Sequence, residues 1–167
     1  MKRLWAPWRI KYIQRKIENK GCIFCQAYKS KQDRKNYVVY RNKSSFSILN
    51  IFPYVNGHVM VVPNRHVKDI DLLNQEELMD LLEVLRISKQ QLDKTLKPHG
   101  YNIGLNIGSA AGAGFDKHLH IHIVPRWKGD ANFMPFICDT KVVSQSLKDL
   151  YNILINEQKN RHRKKRR

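Results

Sequence analysis

Apolar residues alternate with polar ones, or cluster in short runs, in a pattern that predicts five strands. Each run is rich in β-branched or aromatic residues and is bounded by turn-forming residues. The runs cover residues 36–41, 45–51, 58–63, 101–107 and 117–124. The turn-forming Asn42-Lys43-Ser44 joins the first two runs. The short connections predict that the first three strands form an antiparallel meander.

A different period, typical of helices, occupies the middle and the end of the chain. Asn74 is a suitable N-cap residue, and Glu77 lies at the capping-box position three residues later. The leucines that follow at helical spacing are Leu78, Leu81, Leu82, Leu85 and Leu92. A second helix is predicted over residues 144–159. Strands, a helix, then more strands indicate an α+β protein with an antiparallel sheet, a central helix and a C-terminal helix.

Length and charge suggest one domain with a basic extension. The chain has 167 residues and a formal net charge of +17, from 31 basic and 14 acidic residues. Such a balance favours anionic partners such as nucleotides. Residues 159–167 carry no acidic residue, so we expect a solvated tail able to bind polyanions weakly. We divide the chain into an N-terminal arm (1–21), a domain (22–158) and this tail (159–167).

The apolar runs are too short for a membrane span, which needs about 20 residues. The N-terminal residues also lack the apolar stretch of a signal peptide. The sequence therefore predicts a cytoplasmic protein with no membrane partner.

Three histidines at alternate positions carry the strongest chemical signal. His118, His120 and His122 are separated by Leu119 and Ile121 within the last predicted strand. Because side chains on a strand alternate with a period of two, the imidazoles share one face and the apolar residues the other. Groups that titrate near neutrality suit nucleophilic or acid–base chemistry on an anion, or metal binding. One such histidine would be ordinary, but three in alternation indicate a site.

The connection before this strand is rich in glycine. Residues 106–116 include three glycines, whose backbone N–H groups can approach an anion closely. A flexible hairpin connection is the alternative, but the neighbouring histidines favour phosphate binding. Arg126 and Lys128 downstream offer further positive charge. No cluster of acidic residues lies near this strand, which favours covalent histidine catalysis over two-metal hydrolysis.

The run His-Leu-His-Ile-His-Ile-Val-Pro, from His118 to Pro125, resembles the signature of the histidine triad (HIT) superfamily of nucleotidyl hydrolases and transferases. Leu49-Asn50 and the strand at residues 57–63 resemble further parts of that family. Residues 4–9 and 125–133 resemble a bacterial subgroup associated with diadenosine tetraphosphate. The resemblance implies a HIT-like α+β fold, a dinucleoside polyphosphate substrate and a homodimer.

The resemblance also implies roles for individual residues. His120 would be the nucleophile that becomes nucleotidylated, His122 would contact the α-phosphate and assist the leaving group, and His118 would orient the network. Asn50 would hold a ribose hydroxyl. The nucleotide- and phosphate-binding set is completed by Asn106, Gly112 and Gly114 of the glycine-rich loop. No organic cofactor is expected.

One position departs from the family pattern. Many HIT hydrolases carry glutamine four residues before the triad, and phosphorylase-like members carry serine in a glycine-rich loop, whereas this chain has Gly114. The acceptor is therefore open between water and inorganic phosphate. Hydrolysis or nucleotidyl transfer is favoured, with phosphorolysis close behind. A phosphoramidase or a non-catalytic nucleotide-binding regulator would also fit the resemblance.

A Cys-x-x-Cys pair, Cys22 and Cys25, supplies half of a tetrahedral metal site or, alternatively, a redox pair. Some bacterial HIT proteins combine such a pair with two histidines to hold a structural zinc ion. The matching positions here are His66 and His118. The resemblance thus implies a closed zinc site with a structural role, and His58 is assigned to the strand network instead.

Overall fold

The computed structural model describes residues 21–130 and 145–165, the last five of these by their backbone alone. The predicted arm therefore lies outside the described residues, except for Gly21. Residues 131–133, the end of the segment 125–133 that resembles the bacterial subgroup, also lie outside them. The division into arm, domain and tail stays a prediction.

The described chain contains every strand and both helices that the sequence predicts. Two short helices near Cys22 were not predicted. The elements are α1 (Ile23–Ser30), α2 (Asp33–Asn36), β1 (Val38–Arg41), β2 (Ser45–Leu49), β3 (Val59–Pro63), α3 (Gln75–Leu96), β4 (Gly100–Leu105), β5 (Ile121–Arg126) and α4 (Leu147–Lys165), with 3₁₀ turns at Ile70–Leu72 and Ser109–Ala111.

The five strands form one antiparallel sheet in the order β1-β2-β3-β5-β4. The meander of the first three strands is confirmed. From β3 the chain passes through α3 to the edge strand β4, and β5 then returns between β4 and β3. Met60 of β3 therefore pairs with His122 of β5, in the interior of the sheet.

The two faces of the sheet carry two apolar clusters. One contains Leu81, Val84 and Leu92 of α3 together with Leu119, Ile121 and Ile123. The other lies beneath α1 and consists of Phe24, Ala27, Val38, Phe46, Ile48, Met60 and Val62. Because neighbours along a strand point to opposite faces, His120 and His122 lie on the α1 side. The prediction that the imidazoles face away from Leu119, Ile121 and Ile123 is confirmed.

α3 begins as the sequence predicts. The Asn74 side chain accepts a hydrogen bond from the Glu77 N–H at 2.9 Å, and the Glu77 carboxylate accepts from the Asn74 N–H at 3.0 Å. This capping box satisfies two N–H groups that the first helical turn leaves without partners. At the other end of α3, Gly57 has φ +81°, and a Cβ there would lie 2.6 Å from the Leu96 Cδ1 atom. Glycine is therefore required immediately before His58.

Two element boundaries differ from the prediction. β5 begins at Ile121 rather than at residue 117, because its ladder with β3 ends at the Val61–Ile121 pair. Pro63, two residues beyond Val61, has no N–H with which to extend that ladder. The Leu119 N–H instead donates to the Val67 carbonyl at 2.6 Å. At the C-terminus, α4 continues to Lys165, into the basic run. No helix among the described residues is long and apolar enough to cross a membrane.

Candidate active site and metal centre

Five imidazoles lie in a row on the α1 side of the sheet. The ring centroids of His120 and His122 are 4.8 Å apart, and those of His122 and His58 are 5.0 Å apart. At the other end of the row, His66 lies 4.9 Å from His118. His118 and His120 are only 1% and 5% exposed. The predicted triad is therefore brought together, and His58 lies in its network.

The hydrogen bonds of His120 leave one ring nitrogen for a substrate. Its Nδ1–H donates to the His118 carbonyl at 2.8 Å. In a neutral imidazole the second nitrogen then carries a lone pair, so Nε2 is a potential nucleophile. Burial lowers the pKa of His120, which keeps the ring neutral near pH 7.

A hydrogen-bonded chain from Tyr54 fixes the opposite protonation in His122. The Tyr54 N–H donates to His58 Nδ1 at 3.2 Å, so the proton of neutral His58 lies on Nε2. That Nε2–H donates to His122 Nδ1 at 2.9 Å. His122 consequently carries its own proton on Nε2. Burial, together with the nearby His120, lowers the pKa of His122 to about 4.

Asn50 lies beside this chain. Its Nδ2 is 3.3 Å from His58 Nδ1, and its Oδ1 accepts from the Phe52 N–H at 2.9 Å. The Tyr54 ring covers His58, with centroids 4.7 Å apart. The predicted ribose-binding residue is thus adjacent to the histidines.

The glycine-rich loop adopts backbone conformations that require glycine. Gly108 and Gly112 have φ +81° and +84°, on either side of the turn at Ser109–Ala111. A Cβ on Gly112 would lie 3.9 Å from Asn106 Nδ2, so these two predicted phosphate-binding residues are neighbours. Gly114 follows on the exposed side of the loop. Phosphate binding by these residues stays a prediction.

Arg126 is paired with an acidic residue, and its expected contribution to phosphate binding stays a prediction. Its guanidinium donates to both Asp130 carboxylate oxygens, at 2.6 and 3.0 Å, and to Asn102 at 3.1 Å. It also lies four residues beyond His122 on β5, or about 13 Å along the strand. The backbone N–H of Lys128, in the turn that follows β5, donates to His99 Nδ1. A single sequence does not reveal that Asp130 compensates this arginine.

The two cysteines lie against two histidines. Cys22, Cys25, His66 and His118 each offer one ligand atom, and these atoms all lie within 4.8 Å of one another. His118 Nδ1 is 3.2 Å from Cys22 Sγ and 3.6 Å from Cys25 Sγ, and His66 Nδ1 is 3.3 Å from Cys25 Sγ. Metal bonds of about 2.0–2.3 Å in a tetrahedron require donor separations of roughly 3.5 Å. The cluster can therefore hold a metal ion.

The electrostatics of Cys22 are unlike those of a redox-active cysteine. Burial raises the pKa of the Cys22 thiol to about 11, partly offset by the Cys25 N–H that donates to Cys22 Sγ. Redox-active cysteines have lowered pKa values instead. Burial lowers the pKa of His118 to about 4, and its Nε2–H donates to the Pro63 carbonyl at 2.9 Å. This outer hydrogen bond directs the Nδ1 lone pair at the cysteines.

Known proteins resemble this chain in sequence over most of its length. A family model described as HIT domain matches residues 31–129. The chain belongs to the HIT family. It is 36% identical to the AP-4-A phosphorylase of Mycobacterium tuberculosis over 94% of this chain and 84% of that protein. It is also 38% identical to the asymmetrical bis(5'-nucleosyl)-tetraphosphatase of Schizosaccharomyces pombe, over 63% of this chain and 57% of that protein.

Solved structures of HIT proteins have the same fold. A hypothetical histidine triad nucleotide-binding protein from Sulfolobus tokodaii matches with a TM-score of 0.68 and 26% identity, over 83% of this chain and 93% of that one. A zinc-bound histidine triad family protein from Mycobacterium smegmatis matches with a TM-score of 0.66 and 25% identity, over 81% and 91%. The predicted α+β HIT fold is confirmed.

Sequence reasoning missed two aromatic residues of this HIT site. Phe24 contacts the His120 ring, and Tyr54 covers His58 and His122. The position of Phe24 between the two cysteines was the available signal for the first. Tyr54 lies in the Pro53–Gly57 break before β3, where the sequence pattern predicted no element.

Proposed function

We propose that this HIT protein cleaves dinucleoside polyphosphates, such as diadenosine tetraphosphate, through a nucleotidyl intermediate on His120. The observation that carries the proposal is the complementary pair of ring nitrogens. His120 Nε2 bears a lone pair, and the neighbouring His122 Nε2 bears a proton. The relatives named as a phosphorylase and a tetraphosphatase support this substrate class.

In the first step, His120 Nε2 attacks the α-phosphorus, and the bond to the bridging oxygen breaks. The leaving nucleoside polyphosphate takes the bond electrons, and the His122 Nε2–H donates a hydrogen bond to that oxygen as its negative charge grows. His120 keeps its Nδ1 proton and so becomes a cationic phosphoramidate. The His118 carbonyl, 2.8 Å from Nδ1, stabilises this charge.

In the second step, an acceptor oxygen attacks the same phosphorus, and the N–P bond breaks, which restores neutral His120. The relative that matches over 94% of this chain is a phosphorylase by name, which favours inorganic phosphate as the acceptor. Diadenosine tetraphosphate would then give ATP and ADP. Water is the alternative acceptor, favoured by the tetraphosphatase relative, and would give ATP and AMP.

The nucleotide contacts form part of the same proposal. Asn50 lies next to His58 and holds a ribose hydroxyl on that side of the triad. The backbone N–H groups around Gly112 and Gly114, with the Asn106 amide, bind the phosphates. The left-handed conformation of Gly112 and its proximity to Asn106 support this assignment.

We assign Zn²⁺ to the Cys22, Cys25, His66 and His118 cluster. Two thiolates and two imidazoles are the usual donors of a structural zinc site, and the zinc-bound Mycobacterium smegmatis relative supports this choice. When bound, the ion supplies a cross-link between α1 and the sheet. The four protein donors leave no open coordination position, so His118 contributes to the reaction only through its carbonyl and its position.

Two binding properties complete the proposal. The edge strand β4 exposes Ile103, which is 45% accessible, and supports a homodimer that pairs this edge with a second copy. Sedimentation tests the dimer.

The basic run at residues 159–167 binds polyanions weakly. Deletion of 159–167 tests the tail and should lower polyanion affinity in low salt. A cytoplasmic location is expected and is tested by cell fractionation.

The deciding experiment is incubation with diadenosine tetraphosphate, with and without inorganic phosphate. ATP and ADP formed only with phosphate support the phosphorylase. ATP and AMP formed without phosphate support the hydrolase. No turnover in either condition overturns the proposed substrate class and directs the test to adenosine phosphoramidates, and then to nucleotide binding without turnover.

A further inference from the structure

An imidazole nucleophile must be held in one of two ring orientations. Rotation of the His120 ring by 180° about its Cβ–Cγ bond exchanges Nδ1 with Cδ2 and Nε2 with Cε1. The Nδ1–H hydrogen bond to the His118 carbonyl selects the orientation that presents Nε2. One hydrogen bond gives only a modest preference in a protein, because alternative partners compete for the same groups. Further contacts are needed to hold the ring.

Phe24 supplies such a contact. Its side chain is only 2% exposed, and its ring centroid lies 5.1 Å from that of His120 with an interplanar angle of 41°. It also contacts His118, at 5.5 Å, and Phe115 of the glycine-rich loop, at 5.9 Å. Phe24 therefore touches the nucleophile, a metal-cluster residue and the predicted phosphate-binding loop.

Both ends of α1 are held in place, so the position of Phe24 is well defined. At the N-terminal end, Cys22 and Cys25 lie on either side of Phe24 and pack against His66 and His118. At the C-terminal end, the Ala27 and Tyr28 carbonyls accept hydrogen bonds from Arg41, at 3.1 and 3.2 Å. Asp33 in turn binds the same guanidinium at 2.7 Å.

We propose that Phe24 is a positioning residue for the nucleophile, whose ring holds the His120 imidazole in the orientation that presents Nε2 to the substrate. This inference rests on the proposed role of His120. It assigns to α1, which reaches the site through Phe24 and the cysteines, a part in positioning the nucleophile as well as in stability.

Phe46 provides a matched control for a purely structural role. It belongs to the same apolar cluster, is fully buried, and stacks on Tyr28 at 6.0 Å near the other end of α1. Phe24→Leu and Phe46→Leu remove the same atoms from the same cluster. Both should lower the thermal midpoint, but only Phe24→Leu removes a ring from His120.

The test measures kcat and KM for diadenosine tetraphosphate on the full-length protein with its metal bound. Phe24→Leu should lower kcat by about tenfold or more, because small misplacements of a reacting group are costly. KM should change by less than about threefold, since the loss falls on the transition state. Phe46→Leu should keep kcat within about twofold. Equal kcat losses in the two variants would overturn the proposal.

A second measurement needs no substrate and therefore separates this inference from the proposed reaction. In ¹⁵N-labelled protein, the His120 Nδ1–H proton should give a slowly exchanging NMR signal that is missing in His120→Gln. Phe24→Leu should broaden or split this signal, whereas Phe46→Leu should leave it intact. An unchanged signal in Phe24→Leu would also overturn the proposal. If Phe24→Leu does not fold, Phe24→Met, which nearly preserves volume, replaces it in both measurements.

Discussion

The two ends of the histidine row, His118 and His122, use the same residue type in different ways. At one end, His118 donates its Nε2–H to the Pro63 carbonyl and turns its Nδ1 lone pair toward two cysteines. At the other end, His122 accepts at Nδ1 from His58 and keeps its proton on Nε2. His120, between them, donates Nδ1–H to the His118 carbonyl. Alternate spacing gives the imidazoles a shared face, and the hydrogen-bond partners of each ring decide what it can do there.

This difference between the two ends shows how His118 can have both predicted roles, as a triad member and as a metal ligand. The two roles use different atoms. The ring nitrogens of His118 serve the metal cluster and Pro63, whereas its backbone carbonyl serves His120. Changes at either end of the row should therefore have separable effects on turnover and on metal content.

The largest expected effect is at the centre of the row. His120→Ala removes the proposed nucleophile and should lower turnover by more than about 10³-fold. The ligand atoms of the metal cluster are untouched, so metal content, measured by elemental analysis, should match the wild type. Appreciable residual turnover would remove His120 from its assigned role.

The next effect breaks the His122 end. His58→Phe removes the donor that fixes the His122 tautomer, and kcat should fall by about 10²-fold. The matched control is His99→Ala, since His99 lies in the turn that binds the Lys128 N–H, outside the site. Steady-state kinetics of the two variants test the hydrogen-bonded chain. Similar rates for both would show that the chain has no part in turnover.

Breaking the metal end should affect stability more than chemistry. His66→Ala removes one of four ligand atoms and should lower the metal content and reduce Tm by about 5 °C or more. Its kcat should fall by less than about tenfold, because Arg41 still holds α1. His99→Ala, which removes a histidine outside the cluster, should leave the metal content unchanged. A full metal complement in His66→Ala would refute the site.

The smallest effect concerns pH and the buried imidazole of His122. Its pKa is about 4 in the folded protein and about 6.5 when unfolded, so the unfolded state takes up the proton first as pH falls. Its contribution to stability is therefore complete above pH 6.5 and is lost between about 6.5 and 4. Metal-free wild type should lose more unfolding free energy than metal-free His122→Gln between pH 7.5 and 5. Equal losses in urea titrations would contradict the lowered pKa.

The sequence predicted those features that depend on local periodicity. The capping box at Asn74 and Glu77 and the strand pattern from β1 to β3 need only neighbouring residues, and the structure confirms them. The grouping of Cys22 and Cys25 with His66 and His118 was accessible only through the family resemblance, because the two histidines lie far from the cysteines in the chain.

Other features depend on contacts that no local pattern encodes. The tautomers of the histidines follow from backbone groups of Tyr54, Pro63 and His118, which any residue type could supply. α1 is short, and its stability comes from Cys22 at its N-cap, from Arg41 and from burial of Phe24. The ion pair of Arg126 with Asp130 was not predicted, because this partner is identified by the turn geometry rather than by charge alone.

The central claim is that His120 forms a covalent bond to the α-phosphorus, and trapping that intermediate tests it most directly. The protein would be mixed briefly with diadenosine tetraphosphate without added phosphate, quenched in alkali to preserve the acid-labile N–P bond, digested, and analysed by tandem mass spectrometry. The account predicts an adenylyl group on the His120 side chain that is lost when inorganic phosphate is added. An adduct on another histidine, or product formation with no adduct, would contradict it.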